Sequence, residues 1–404
     1  MYARKELLDK VLNWRDQDVI KVLTGMRRAG KSTLMEMVVQ ALREEGVADD
    51  RIAYLNFERR ECWGLDSREK VFAELDRRLK GEGRKYVLLD EVQNVAQFES
   101  LVDALYADKK YDCYITGSNA YLLSSELATF LSGRFVEIHV TPLSFSEYFD
   151  GQKASLPEVW RDYVRYGSMP KVRELVESGK ADDVAQYLDG LYSSVLVNDV
   201  ITRTKMSDVS TVKKIAAYLF DNIANLTNVK RICDALSSAG GKGSYQSTQT
   251  YVHQLCEAFL FYKCERLDVR GLELLKVGAK YYASDPGLRY LINGNRAGDE
   301  GRILENVVYL ELARRHRNVF TGVLRSGREI DFVTRDGDEI AYYQVADSVK
   351  DSETLARELR PLREIDDNYP KYLIVGDYGN GVMHNGIRQV CVQDFLLDSG
   401  KAHS

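Results

Sequence analysis

The sequence predicts an α/β fold, with a parallel sheet covered by helices on both faces over residues 1–150 and smaller helical and α/β segments after it. Three observations carry this expectation. Apolar, β-branched runs near 19–25, 52–58, 86–92, 111–118 and 134–140 alternate with helical patterns such as Phe72, Leu75, Leu79 and Phe98, Leu101, Val102, Leu105. The first run leads directly into a glycine loop that opens a helix. The third run ends in two consecutive acids, Asp90 and Glu91.

The glycine loop fits G-x-x-x-x-G-K-[ST] from Gly25 through Met26, Arg27, Arg28, Ala29, Gly30 and Lys31 to Ser32. Such a loop surrounds phosphate oxygens with backbone N–H groups, sends its lysine, here Lys31, to the β/γ-phosphates, and offers the hydroxyl of Ser32 to Mg²⁺. Thr33 continues the first turn of the helix, whose positive end faces the same phosphates. Leu34, Met37, Val38 and Ala41 then recur at helical spacing. The strand–loop–helix order predicts a P-loop NTPase sheet with ATP and Mg²⁺ as its ligands. The run Tyr86–Glu91 supplies the complementary part, with Asp90 expected to hold Mg²⁺ through water and Glu91 to polarise the attacking water. Two acids at the end of a buried apolar strand need a partner, and a bound cation is one.

Length and charge set the outer bounds. A chain of 404 residues with 45% hydrophobic content predicts two to four domains. A net charge of −5 gives no chain-wide basic field, so any nucleic-acid contact is expected to be local. No run of about 18 apolar residues occurs, and Met1–Lys5 leads into a polar helix, which together predict a soluble, cytoplasmic protein without a membrane partner. Cysteines at 62, 113, 233, 256, 264 and 391 show no CxxC spacing and are expected to be reduced and buried.

The order of the runs adds detail. Ile52–Glu58 lies in sequence between the phosphate loop and the acid strand, an insertion found in P-loop ATPases that carry their own catalytic glutamate. Asn56, at its end, is a polar group expected to reach toward Glu91. The run Tyr111–Asn119 ends in small polar residues and is expected to emerge beside the γ-phosphate. There Ser118 or Asn119 either orients the attacking water or caps the helix that starts near Ala120.

Thr116-Gly117-Ser118-Asn119, Leu131-Ser132-Gly133-Arg134, Thr141-Pro142-Leu143-Ser144-Phe145 and Gly167-Ser168-Met169-Pro170, with the Arg27-Arg28 pair in the glycine loop, resemble a large family of prokaryotic AAA-superfamily ATPases. In that family the ATPase module precedes a C-terminal domain of unknown function. The resemblance implies that Arg134 touches the γ-phosphate, in cis or in trans, as arginine fingers do; the alternative is an ordinary helix C-terminal cation. It also implies that Gly167–Pro170 forms a lid turn near the adenine. Homo-oligomers are compatible with an in-trans arginine.

After this 1–150 core, residues 151–205 read as a helical lid and connector. Residues 206–292 read as a winged helix-turn-helix: helices over 212–223, 228–238 and 246–261, then a hairpin from Tyr262 through Gly271 to Tyr282. Between Lys230 and Arg289 there are nine basic and six acidic residues, a local net charge of +3. Ser244, Gln246, Ser247, Gln249 and Thr250 on the third helix offer groups to the phosphates or base edges of DNA, and winged helices serve equally as protein-docking modules. Residues 296–404 resemble the restriction-endonuclease-like α/β fold, whose metal site combines a helix Glu, a strand Asp and an E-x-K tripeptide. Glu305 and Asp331 stand at the first two positions, but the tripeptide has become Gln344-Val345-Ala346. A neutral amide does not replace a metal-binding carboxylate and alanine supplies no cation. The expectation is therefore a degenerate nuclease site, in a domain that binds protein partners, with Lys350 as a candidate migrated cation.

Overall fold

The computed structural model describes residues 2, 4–117, 133–202, 208–238, 244–294, 296, 298–377 and 381–398. The chain divides into two compact units, Met1–Pro142 with Glu257–Phe259, and Leu143–Cys256 with Leu260–Ser404.

The first unit is built on five parallel strands, β1 (Ile20–Thr24), β2 (Ile52–Asn56), β3 (Lys85–Asp90), β4 (Tyr111–Thr116) and β5 (Phe135–His139), in the order β2-β3-β4-β1-β5. Period-two alternation assigns the two faces. Ile20, Val22, Ala53, Leu55, Val87, Leu89, Cys113 and Ile115 share one core with the helices Arg68–Arg78 and Phe98–Ala107. The intervening residues, among them Lys21, Leu23, Tyr54, Leu88, Asp90, Asp112, Tyr114 and Thr116, have their Cβ atoms on the opposite face. The strand that separates β1 from β3 is β4, while the inserted strand Ile52–Asn56 takes the outer edge. Sequence order alone could not give this, because neighbours in a sheet are chosen by long-range pairing.

The opposite face carries polar groups at both ends of the strands. At the N-terminal end Lys21 and Asp112, with wholly buried side chains, form an ion pair, and Asp112 also accepts from the Tyr114 hydroxyl and the Asp16 N–H, both at 3.0 Å. These contacts satisfy both charges at the end of the sheet remote from the glycine loop.

In the second unit the expected lid, winged helix and C-terminal segment fall into one compact body. Its sheet has eight strands in the order β12-β13-β11-β10-β9-β8-β6-β7. The hairpin of the expected winged helix is β6 (Phe261–Asp268) and β7 (Leu274–Ala283). The remaining strands are β8 (Val319–Val323), β9 (Glu329–Asp336), β10 (Glu339–Ala346), β11 (Lys371–Val375), β12 (Met383–His384) and β13 (Ile387–Cys391). Because β6 pairs in parallel with β8 through Arg266↔Thr321 and Leu267↔Gly322, the boundary drawn at 292–296 cuts across a single sheet. The free edge of a hairpin is a row of unpaired backbone groups, and β8 covers it. Helices Val209–Asp221, Val229–Ser238 and Tyr245–Glu257 precede the hairpin, as the sequence pattern suggests.

The Gly167–Pro170 turn has a local task in this unit. Asp285, fully buried, accepts from the Ser168 N–H at 2.7 Å and its hydroxyl at 3.0 Å, and from the N–H groups of Gly287 and Leu288. A Cβ on Gly167 would stand 2.1 Å from Asp285 Oδ1, so only glycine fits. The motif expected to form a lid turn is engaged in holding this carboxylate, whose pKa burial raises. Among the described residues no helix is long and apolar enough to cross a membrane. The six cysteines are free; four are buried and Cys233 and Cys256 are partly so.

Candidate nucleotide site and the C-terminal carboxylates

The glycine loop leaves β1 at Thr24 and enters the helix Lys31–Glu44. Gly25 adopts φ +140° and passes so close to Val140 that a Cβ would meet its carbonyl oxygen at 2.1 Å. Arg28 at φ +67° and Gly30 at φ +107° complete the reversal. These left-handed conformations turn successive N–H groups into one concavity, the geometry that receives an anion. Lys31, 4% exposed, folds back over the loop, and its Nζ donates to the carbonyls of Gly25 (2.9 Å) and Met26 (3.2 Å). Ser32 and Thr33 follow in the first helical turn.

The acids sit two strands away. Strand register aligns Asn56 with Asp90 and Leu23 with Thr116, and the Leu89↔Ile115 pair brings Asp90 beside Thr116 one residue further on. A row of polar groups thus crosses the C-terminal end of the sheet. Asp90, with no exposed surface, accepts at Oδ2 from the Tyr54 hydroxyl (2.8 Å) and from Asn56 Nδ2 (2.6 Å), and at Oδ1 from the Thr116 hydroxyl. Burial first, and then the charge of Asp90, raise the Tyr54 pKa, so this phenol remains a donor. Glu91 leaves the strand at φ +56°, and its N–H donates to Thr116 Oγ1 at 3.0 Å. Its carboxylate accepts from Gln93 Nε2 at 2.5 Å.

The three groups bonded to Asp90 are two hydroxyls and an amide. They satisfy its lone pairs without cancelling its charge, so the carboxylate remains suited to a cation. With the lysine and hydroxyl of the loop, this donor set fits a magnesium–nucleotide complex.

Residues 17–149 match the AAA domain family and residues 157–299 a domain of unknown function (DUF8612). A protein of Haemophilus influenzae is 37% identical over 98% of this chain and 99% of its own length. The chain belongs to the family of that Haemophilus protein. Its AAA domain is a P-loop ATPase-type α/β fold with a parallel five-stranded sheet. A Methanocaldococcus jannaschii protein is 27% identical over 80% of this chain and 75% of its own. The Walker-type ATPase paby2304 of Pyrococcus abyssi is similar in fold, with a TM-score of 0.52 at 15% identity, covering 72% of this chain and 96% of its own.

Other expected site residues of this AAA-domain protein are placed differently. Asn56 bonds to Asp90, not to Glu91. Arg134 immediately precedes β5, and its carbonyl accepts from the Ile20 N–H at 2.8 Å. The phosphate loop follows the Thr24↔His139 pair, five residues along the strand or roughly 16 Å away. The Arg134 guanidinium instead binds Asp103 at 2.8 Å and lies 5.5 Å from the Tyr106 ring centroid. Parallel register therefore turns it away from the loop of its own chain. Ser118 and Asn119 lie outside the described residues. Thr116 and Tyr54, the other partners of Asp90, carry only a faint sequence signal, a polar side chain at period two on an otherwise apolar strand, in register with an acid.

In the second unit, Glu305 on the helix Glu300–Arg315 and Asp331 on β9 do meet. The cation between them comes from the hairpin. Lys280 Nζ, on β7 and 7% exposed, lies 2.8 Å from Glu305 and 3.3 Å from Asp331. The Tyr282 hydroxyl donates to Glu305 at 2.7 Å, and Val345 N–H to Asp331 at 3.0 Å. Burial and then Asp331 push Glu305 up to about 7 against the pull of Lys280; at Lys280 burial pulls the pKa down, but the two carboxylates together outweigh it, raise the pKa and keep the ammonium charged. Lys350 is not the migrated cation; it is largely exposed and pairs with Asp377 at 3.0 Å. Gln344 follows the Tyr343↔Phe332 pair, which puts it across from Asp331. Its Nε2 donates to Glu358 at 3.0 Å, and its buried Oε1 has no partner among the described residues. Among the described residues no three His, Cys, Asp or Glu side chains are grouped to hold a metal.

Part of the local +3 charge of residues 230–289 is turned inward or paired, while Lys230, Arg231 and Arg270 are exposed. Lys280 is buried as above, and Arg289 is buried against Asp299. Lys263 pairs with Glu265 at 2.7 Å and Arg266 with Glu329 at 3.2 Å. On the helix Tyr245–Glu257, Gln246 and Gln249 are exposed, whereas the hydroxyls of Ser244 and Ser247 bond to each other and Thr250 donates to the Gln246 carbonyl.

Proposed function

We propose that this protein hydrolyses ATP with Mg²⁺ and couples the cycle to a conformational change. The observation that carries the reading is the row Asn56–Asp90–Thr116 ending beside Glu91, on the sheet edge from which the phosphate loop also emerges. In this reading the N–H groups of residues 25–33 hold the phosphates, Lys31 leaves its two carbonyls for phosphate oxygens, and Ser32 and Asp90 hold the metal. Mg²⁺, when bound, neutralises charge at the phosphate oxygens. Glu91 accepts a hydrogen bond from the attacking water and orients it. Asn119 is proposed to hold the same water, and Arg134 to act on a neighbouring copy of the chain. The partner proposed is nucleic acid, met through Gln246 and Gln249.

One observation favours a second reading. Because Lys280 and Arg289 are turned inward, the winged segment presents fewer basic groups for phosphate binding than its sequence counts, which suits an ATP-gated scaffold for proteins. The inward Lys280 likewise argues against a metal-dependent nuclease, since the two acids already hold a cation.

The test is ATP hydrolysis by purified wild type and Lys31→Ala, with and without DNA, RNA and cell extract. Loss of nucleotide affinity and turnover in Lys31→Ala is expected; unchanged turnover would remove the assignment. Salt-dependent stimulation by DNA or RNA would select the nucleic-acid reading over the scaffold.

A further inference from the structure

Besides Arg27 and Arg28 within it, the phosphate loop is met by a third arginine, far from it in sequence. Arg4 precedes the first helix, Lys5–Leu12, and is 4% exposed. Its Nη1 donates to the carbonyl of Ala29 at 3.0 Å, and its Nη2 to the carbonyls of Thr141 (2.9 Å) and Pro142 (3.5 Å). The guanidinium thus joins the loop to the segment leaving β5. The same segment supports the loop's other end, where Val140 N–H donates to Thr24 O at 2.7 Å and the Val140 carbonyl lies against Gly25. Gly25 and Ala29 are therefore both fixed to residues 140–142, one by direct contact and one through Arg4.

We infer that Arg4 is a positioning residue for nucleotide, which sets the Ala29–Gly30 peptide so that its N–H faces the phosphates. The physical reason is the planarity of the trans peptide, in which C=O and N–H point in opposite directions. Holding the Ala29 oxygen against a charged donor outside the loop aims the Gly30 N–H inside it. Gly30, with φ +107°, has two soft torsions that sterics constrain weakly, so an unanchored peptide could flip. Arg4 removes that freedom before nucleotide arrives, and a preorganised donor binds more tightly than one ordered on binding. A fork is needed, because two separate carbonyl sets must be reached at once; a lysine ammonium is a point donor on a flexible stem.

The inference rests on the nucleotide-site reading, and the experiment separates the two. Binding of Mg-ATP and Mg-ADP is measured by calorimetry on the full chain for wild type, Lys31→Ala, Arg4→Gln and Arg4→Lys, with the nucleotide-free melting temperature of each. Arg4→Gln is expected to weaken both nucleotides roughly ten- to hundredfold, as loss of hydrogen bonds from a charged donor does. KM should rise more than kcat falls, because the loop holds phosphates in ground and transition state alike. Arg4→Lys should remain weakened, although it keeps the charge. Absence of binding by wild type overturns the site itself. Binding by wild type but not by Lys31→Ala, with Arg4→Gln equal to wild type, overturns the role of Arg4 alone. If Arg4→Gln does not fold, Arg4→Lys decides: wild-type affinity in that variant overturns the inference, and weakened affinity at an unchanged melting temperature supports it.

Discussion

Two buried carboxylate centres in this molecule are held in opposite ways. Asp90 is surrounded by Tyr54, Asn56 and Thr116, which donate hydrogen bonds and carry no charge. Glu305 and Asp331 are joined by Lys280, whose ammonium lies within 3.3 Å of both. A carboxylate satisfied by neutral donors keeps its negative charge for a ligand, whereas one paired with a buried lysine has its charge matched within the fold. The difference separates a centre suited to a metal–nucleotide complex from one that holds a hairpin to the neighbouring strands. The residue types alone do not make this distinction, since both centres consist of acids set among apolar neighbours on their elements.

The comparison can be broken first at Glu91. Glu91→Gln keeps the volume of the side chain and leaves Asp90 in place, so Mg-ATP affinity should persist while phosphate release falls by about 10²- to 10⁴-fold. A wild-type rate in single-turnover measurements would mean that the first centre does not activate water.

The second centre should respond in stability. Lys280→Met leaves two carboxylates buried without their cation, and urea unfolding should show a loss of about 3–5 kcal/mol. The pH dependence has a definite sign. Folded Glu305 holds its proton up to about 7, whereas the unfolded carboxyl releases it near its ordinary value of 4.5. The folded state therefore binds more protons between those values, and its contribution to stability falls as pH rises from about 4.5 to about 7. Removing Lys280 raises the folded pKa further, so the variant's deficit should be smaller at pH 5 than at pH 8. Equal deficits would show that the lysine does not compensate these acids.

A smaller effect is expected at Thr116, where the hydroxyl donates to Asp90 and accepts from the Glu91 N–H. Thr116→Val keeps the shape and removes both bonds, for a loss of roughly 1–3 kcal/mol in chemical denaturation. Turnover should fall as well, because Glu91 loses the group that fixes its backbone. Arg134→Ala should change stability least, by under about 1 kcal/mol, since its bond to Asp103 lies at the surface. If Arg134 acts on a neighbouring chain, mixing this variant with Lys31→Ala should restore hydrolysis above the average of the two parents; no such recovery would remove the in-trans role.

The sequence by itself determined the phosphate loop and the acids at the end of the third core strand. Each follows from local chemistry: glycines where φ is positive, an amine and a hydroxyl at fixed spacing, and carboxylates closing an apolar run. The helix and strand bearing Glu305 and Asp331 were legible for the same reason. Tertiary structure decided their partners. It placed β4 between β1 and β3, which aligns Thr116 with Asp90, and it set Arg134 at the end of β5 remote from the loop. It brought Lys280 from the hairpin and Arg4 from the N-terminus to groups 25 or more residues away. A side chain's type limits what it can bond, but sheet register and packing choose its partner among many compatible ones, and that choice is made by contacts distant in the chain.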